Sequence, residues 1–152
     1  MRAPALVAAA TALVAMLILV PSAGADQAFH TQRIALSPVG NAPLRTGFVV
    51  DIHANGPQVN SLERYVLNGA APDTAYHVQL LVFGNASCTG GFVVVPTASF
   101  VTNTSGNGQG SFTFVPSDIP PNLHGTTIFI VWQVLTGGSV AYHTTCIPVA
   151  ID

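Results

Sequence analysis

The chain has 152 residues, with four basic against six acidic side chains, and only 7% of its residues are charged, far below the roughly 25% of an ordinary soluble protein. All four basic residues are Arg, too few to form the basic stripe that nucleic-acid binding or attraction to an anionic membrane surface requires. The absence of Lys excludes lysine Schiff-base chemistry, and a surface this close to neutral does little to oppose self-association.

Met1-Arg2 opens the chain with a positive charge, and an uncharged apolar run from Ala3 to Val20 follows. Pro21-Ser22 breaks that run before the small residues Ala23-Gly24-Ala25. This is the pattern of an export signal cut after Ala25, with an uncleaved anchor as the alternative. The expectation is a signal peptide over 1–25 and one secreted domain over 26–152, free of the membrane once cleaved. The Ala- and Val-rich signal leans bacterial.

Beyond the signal no stretch repeats apolar residues at helical spacing, and Gly, Pro and Asn recur every few residues. Strands are predicted at Thr31–Leu36, Thr46–Ala54, Ser61–Leu67, Ala75–Phe83, Ala98–Thr102, Gly110–Val115, Thr126–Leu135 and Ser139–Val149. Many strands joined by turn residues indicate an all-β sandwich or barrel. In the second run, Phe48, Val50 and Ile52 are expected to face the core, with Asp51 and His53 toward water. Asn55-Gly56-Pro57 is the turn that follows. Tyr76, Val78, Leu80 and Val82 alternate with His77 and Gln79, and Phe112 and Phe114 alternate with Ser111 and Thr113. Asn107-Gly108 suits a hairpin between the fifth and sixth strands. Ile128 to Trp132 is apolar at every position, as in a central strand or one covered on both faces.

The segment Leu67-x-Gly69-x-x-Pro72-x-Thr74-x-Tyr76-x-Val78-x-Leu80 resembles the tyrosine-corner region of immunoglobulin-like and fibronectin type III-like sandwiches. That resemblance implies a Greek-key immunoglobulin-like β-sandwich of about seven to eight strands. It also implies that Tyr76 is buried, with its hydroxyl bonded back to the preceding turn. A fainter likeness continues through Ala98-Ser99-Phe100-Val101-Thr102 to Gly110. It is similar to the neocarzinostatin-type apoproteins, secreted sandwiches that hold an apolar chromophore in a cleft. Those proteins have two disulfides where this chain can form one, and the likeness is one of fold.

Cys88 and Cys146 are the only cysteines, and an even count in an exported chain reads as one disulfide. Among the five histidines, His77 and His143 each follow Ala-Tyr and, with His53, are the candidate copper or zinc ligands. The alternative is ordinary polar residues on a wet face. Asp51 and Glu63 lie six residues either side of Pro57, so a hairpin centred there sets the carboxylates side by side. Such a pair suits acid–base work on a glycosidic bond; the alternative is two solvated side chains. No motif for a catalytic nucleophile, a zinc protease or a phosphate loop occurs, so no catalytic residue and no cofactor is assigned. Asn85 and Asn103 begin glycosylation triplets. Phe92, Val93, Val94 and Val95 read either as a core strand or as a contact edge for a partner.

These features lead to a secreted, non-enzymatic sandwich that acts by binding or in an extracellular or cell-surface structure. A protein or matrix partner, or a second copy, is its expected contact. The first alternative is a carrier of a small apolar ligand, favoured by a cavity of some hundreds of Å3 between the sheets. The second is a metal-binding sandwich, favoured by converging imidazoles.

Overall fold

β-branched and aromatic residues dominate the runs between turns, and such side chains fit a pleated, half-buried surface. A computed structural model describes residues 30–53 and 61–151; the predicted signal peptide and the predicted Asn55-Gly56-Pro57 turn lie outside the described residues. The strands are β1 (His30–Ala35), β2 (Ser37–Pro38), β3 (Thr46–His53), β4 (Ser61–Asn68) and β5 (Ala75–Phe83). They continue as β6 (Phe92–Val101), β7 (Gly108–Phe114), β8 (Thr126–Thr136), β9 (Ser139–His143) and β10 (Ile147–Ile151). Two short 3-10 turns, Pro116–Asp118 and Pro121–Leu123, lie between β7 and β8.

The strands make two packed antiparallel sheets, an all-β sandwich. The first has the order β1-β3-β4-β7; the second runs β2-β9-β8-β5-β6, with β10 also on β8. The core between them is built from Val49, Tyr65 and Leu67 on the first sheet and Tyr76, Val78, Leu80, Ile130, Trp132 and Val134 on the second. All eight predicted strands are present. There are three differences, two of which bring the count to ten among the described residues. β2 is an added two-residue strand, the ambiguous run at Phe92 lengthens β6, and the last predicted strand divides into β9 and β10. The division has a local cause. The Thr144 amide donates to the Trp132 carbonyl at 3.0 Å, and the Trp132 amide donates to the Thr144 hydroxyl at 3.1 Å. The chain thus stays on β8 across the break. β8 is flanked by β5 on one side and by β9 and β10 on the other, the central position its apolar sequence predicts.

The expected phase of β3 is overturned. Val49, Asp51 and His53 are buried, and Phe48, Val50 and Ile52 lie on the outer face. Hydrophobicity alone favours the opposite phase, but each face is stabilised by its neighbours. The Arg33 guanidinium sits 3.9 Å from the centre of the Phe48 ring, and Val50 is flanked in register by Arg33 and Arg64. Long Arg stems cover apolar surface while keeping their charge in water. Inside, the buried polar groups find hydrogen-bond partners, the condition for burying them.

The predicted hairpin between the fifth and sixth strands is also corrected. β6 and β7 belong to different sheets, and the segment between them carries the chain across. Asn103 Oδ1 accepts the amides of Ser105 and Asn107 at 3.0 and 2.9 Å, closing the turn. Phe100 of β6 then lies over β7, where a Cβ on Gly110 would come within 2.7 Å of its ring. Glycine is needed there because a ring from the opposite sheet occupies the space of a side chain.

Tyr76 is buried as expected, but its hydroxyl does not bond back to the preceding turn. It lies 3.2 Å from the Tyr142 hydroxyl, which donates to the Pro43 carbonyl at 2.7 Å. The crossing from β4 to β5 is held instead by Thr102, whose hydroxyl donates to the Ala71 carbonyl at 2.6 Å, and by the Ala70 amide on the Gly106 carbonyl at 2.9 Å. Cys88 and Cys146 are bonded, tying the β5–β6 loop to the residue before β10.

Candidate functional site

Antiparallel pairing of β3 with β4 sets Asp51 directly opposite Glu63. Side chains so placed have Cβ atoms about 4.5–5.5 Å apart on one face, and the phase of β3 makes that the inner face. The rung continues to Gln32 on β1 and Phe112 on β7. The hairpin count about Pro57 therefore brings the two carboxylates together, whereas the expectation that Asp51 and His53 face water is reversed. Asp51 is 1% and Glu63 2% exposed.

Each carboxylate is met by two donors. Asp51 accepts from the Ser61 hydroxyl at 2.6 Å and stands 3.0 Å from His53 Nε2. Glu63 accepts from the Tyr65 hydroxyl and, at 3.0 Å, from the indole N–H of Trp132 across the sandwich. Tyr65 also lies 2.9 Å from the Thr97 hydroxyl. Burial pushes the Glu63 carboxyl up to about 8, and the Asp51 charge adds to the rise, while the bonds from Tyr65 and Trp132 oppose it. Burial, then the nearby Glu63 charge, also raises the Tyr65 phenol. Glu63 is therefore mostly a neutral acid at pH 7. The Ser61 hydroxyl donates to the Asp51 carboxylate rather than to an imidazole, unlike the nucleophile of a Ser-His-Asp triad.

Asp51, His53, Ser61 and Glu63 form one wall of a cleft of about 330 Å3 between the sheets. The facing wall is aliphatic: Leu80 and Val82 of β5, Val93 and Val95 of β6, Ile128 and Ile130 of β8, and Val149 and Ile151 of β10. Phe114 and the β7–β8 connection, through Asp118, Ile119, Pro120 and Leu123, complete the lining. Val93, Asp118 and Pro120 are exposed and mark the side open to solvent. The cleft is amphipathic, with polar groups on the first sheet and hydrocarbon on the second.

The candidate metal ligands do not converge. His77 is exposed on β5, with Nδ1 2.8 Å from the Ser99 hydroxyl; His143 is half-buried on β9, with Nδ1 2.9 Å from the Thr144 carbonyl. They pair with Leu135 and Gln133 of β8, which runs between them, and His53 belongs to the other sheet. Among the described residues no three His, Cys, Asp or Glu side chains gather to hold a metal. Phe92, Val93 and Val94 lie on the edge strand β6 and are 52, 64 and 45% exposed; Val95 is half-buried and turns into the cleft. The Asn85 and Asn103 side chains both bind loop backbone, Asn85 Nδ2 donating to the Thr89 carbonyl at 2.8 Å.

Sequence reasoning missed Tyr65, Ser61 and Trp132 as parts of the site and placed His53 outside. One signal was present. His53 and Ser61, like Asp51 and Glu63, stand at mirrored distances from Pro57, so each arm of the hairpin carries two polar residues on one face. The class that fold and site define is an all-β sandwich with an amphipathic internal cleft. Compared with protein-family models, curated proteins and solved structures, the chain shows no match to any of them.

Proposed function

We propose that the protein is a secreted, non-enzymatic carrier that holds a small, largely apolar ligand between its two sheets. The observation that carries this reading is the cleft of about 330 Å3, aliphatic on one wall and open on one side. Small-molecule sites are concave, mostly apolar and orient their ligand with a few polar groups, and this cleft has that composition. The disulfide and the export pattern of the first twenty-five residues support a place outside the cell. Sugar hydrolysis by Asp51 and Glu63 fits less well, because a hydrocarbon wall gives a polyhydroxylated substrate no partners.

A second reading, a protein-contact module, is favoured by the exposed apolar residues Phe92, Val93 and Val94 on an edge strand, since sheet edges recruit partner strands. A native mass spectrum of the protein from its own culture medium separates the two. The carrier reading expects a one-to-one small-molecule adduct that organic solvent removes. Chain dimers or protein complexes with no adduct, from protein that also fails to take up neutral apolar probes, would reject it.

A further inference from the structure

The polar wall of the cleft is one-sided in its hydrogen bonding. The donors Ser61 Oγ, Tyr65 Oη and Trp132 Nε1 are all directed at Asp51 and Glu63. A carboxylate offers about four lone-pair sites, and each of these two receives two partners. With both groups ionised the wall therefore has acceptor capacity left over, and in the empty cleft the proton held by Glu63 is the one donor its two carboxyls add. Its ionisable groups are one-sided too. Asp51, Glu63 and Asp118 line the cleft with the single imidazole of His53 and no Arg. Of the described Arg residues, Arg33 lies over Phe48 on the outer face, and Arg45, just before β3, and Arg64 on β4 are exposed. The second sheet adds only aliphatic side chains to the lining.

From this asymmetry we infer that the cleft selects a primary amine on an apolar body, the ammonium seated at Asp51 and Glu63 and the hydrocarbon against Leu80, Val82 and Ile130. The inference rests on the carrier reading above and names its ligand class. An ammonium brings three donors and no acceptor, the complement of what the wall presents. A hydroxyl brings one donor and no charge. A carboxylate brings neither a donor nor a compensating charge, and it meets like charge in a site with little water to screen it. Burial favours neutral Glu63 in the empty cleft, and a cation beside it favours the carboxylate. The amine therefore enters as Glu63 loses its proton to solvent, leaving an ion pair with unchanged total charge in the cleft.

A matched series tests this: adamantyl amine, adamantyl alcohol and adamantyl carboxylate, titrated calorimetrically into the full-length secreted protein at pH 7. All three share one rigid apolar body, so differences report the head group. The amine is expected to bind about tenfold tighter than the alcohol, the advantage of a charge-assisted over a neutral hydrogen bond, and the carboxylate weakest. Glu63→Gln and Asp51→Asn keep the shape of the wall; each is expected to shrink the preference for the amine while alcohol binding persists, which also shows that the variant is folded. An amine no tighter than the alcohol, or a carboxylate bound as well as the amine, would overturn the ligand class and leave the carrier reading intact. Binding of none of the three would overturn both.

Discussion

Asp51 and Glu63 face each other across β3 and β4 with both carboxylates inside the sandwich, an arrangement that costs free energy when both are ionised. Their neighbours reduce that cost through hydrogen bonds, and Glu63 reduces it further by keeping its proton to about pH 8.

That proton makes stability depend on pH in a stated direction. The folded state binds it more tightly than the unfolded chain, so Glu63's contribution is full below about pH 4.5 and is lost as the pH rises through about 8. At about 1.4 kcal/mol per pH unit the whole effect is on the order of a few kcal/mol. Urea denaturation of wild type and Glu63→Gln across this window is expected to give curves that diverge, the wild type losing stability relative to the variant as pH rises. Parallel curves would contradict the burial of Glu63.

The disulfide predicts a chemical and an energetic result. Denatured without reductant, the protein should take up no alkylating label on Cys88 or Cys146. Replacing both cysteines with Ser should lower unfolding stability by about 2–4 kcal/mol, since the bond closes a separation of 58 residues. Labelling of either thiol, or an unchanged denaturation midpoint, would count against the bond.

Gly106 and Gly40 form a contrast in which backbone strain is shared and packing is not. Both have positive φ, +73° and +58°, but a Cβ on Gly106 would fall 2.0 Å from the Ala70 carbonyl oxygen, whereas one on Gly40 meets nothing within 4 Å. Gly40→Ala should cost about 1 kcal/mol. Gly106→Ala should cost clearly more, because it must also displace the chain where β4 crosses to β5. Equal melting temperatures for the two variants would show that this crossing is not fixed by the Ala70–Gly106 contact.

Much of the fold was legible because it depends on local signals. Turn residues separate the strands, Ile128 to Trp132 announces a central strand, and two cysteines behind an export-signal pattern announce one bond. The site was half legible. Counting from Pro57 aligns Asp51 with Glu63, yet the apolar residues Phe48, Val50 and Ile52 argued for turning β3 the other way. What decided the phase is tertiary: Trp132, 69 residues beyond Glu63, supplies an indole N–H, and Arg33 covers Phe48 from outside. The tyrosine corner failed similarly. Tyr76 was correctly placed in the core, but its hydroxyl partner, Tyr142, comes from β9, beyond the reach of a local pattern.

The central claim is that the cleft between the sheets holds an apolar ligand, and one titration tests it most directly. The chain has a single Trp, Trp132, whose indole N–H is bonded to Glu63 on the cleft wall, so its emission reports on occupancy without an added label. Titrating the neutral adamantyl alcohol should change that emission along a saturable one-to-one curve. Val82→Phe, which places a ring in the cleft, should abolish the change without lowering the melting temperature. A linear response that never saturates, or a curve that Val82→Phe leaves unaltered, would contradict the account.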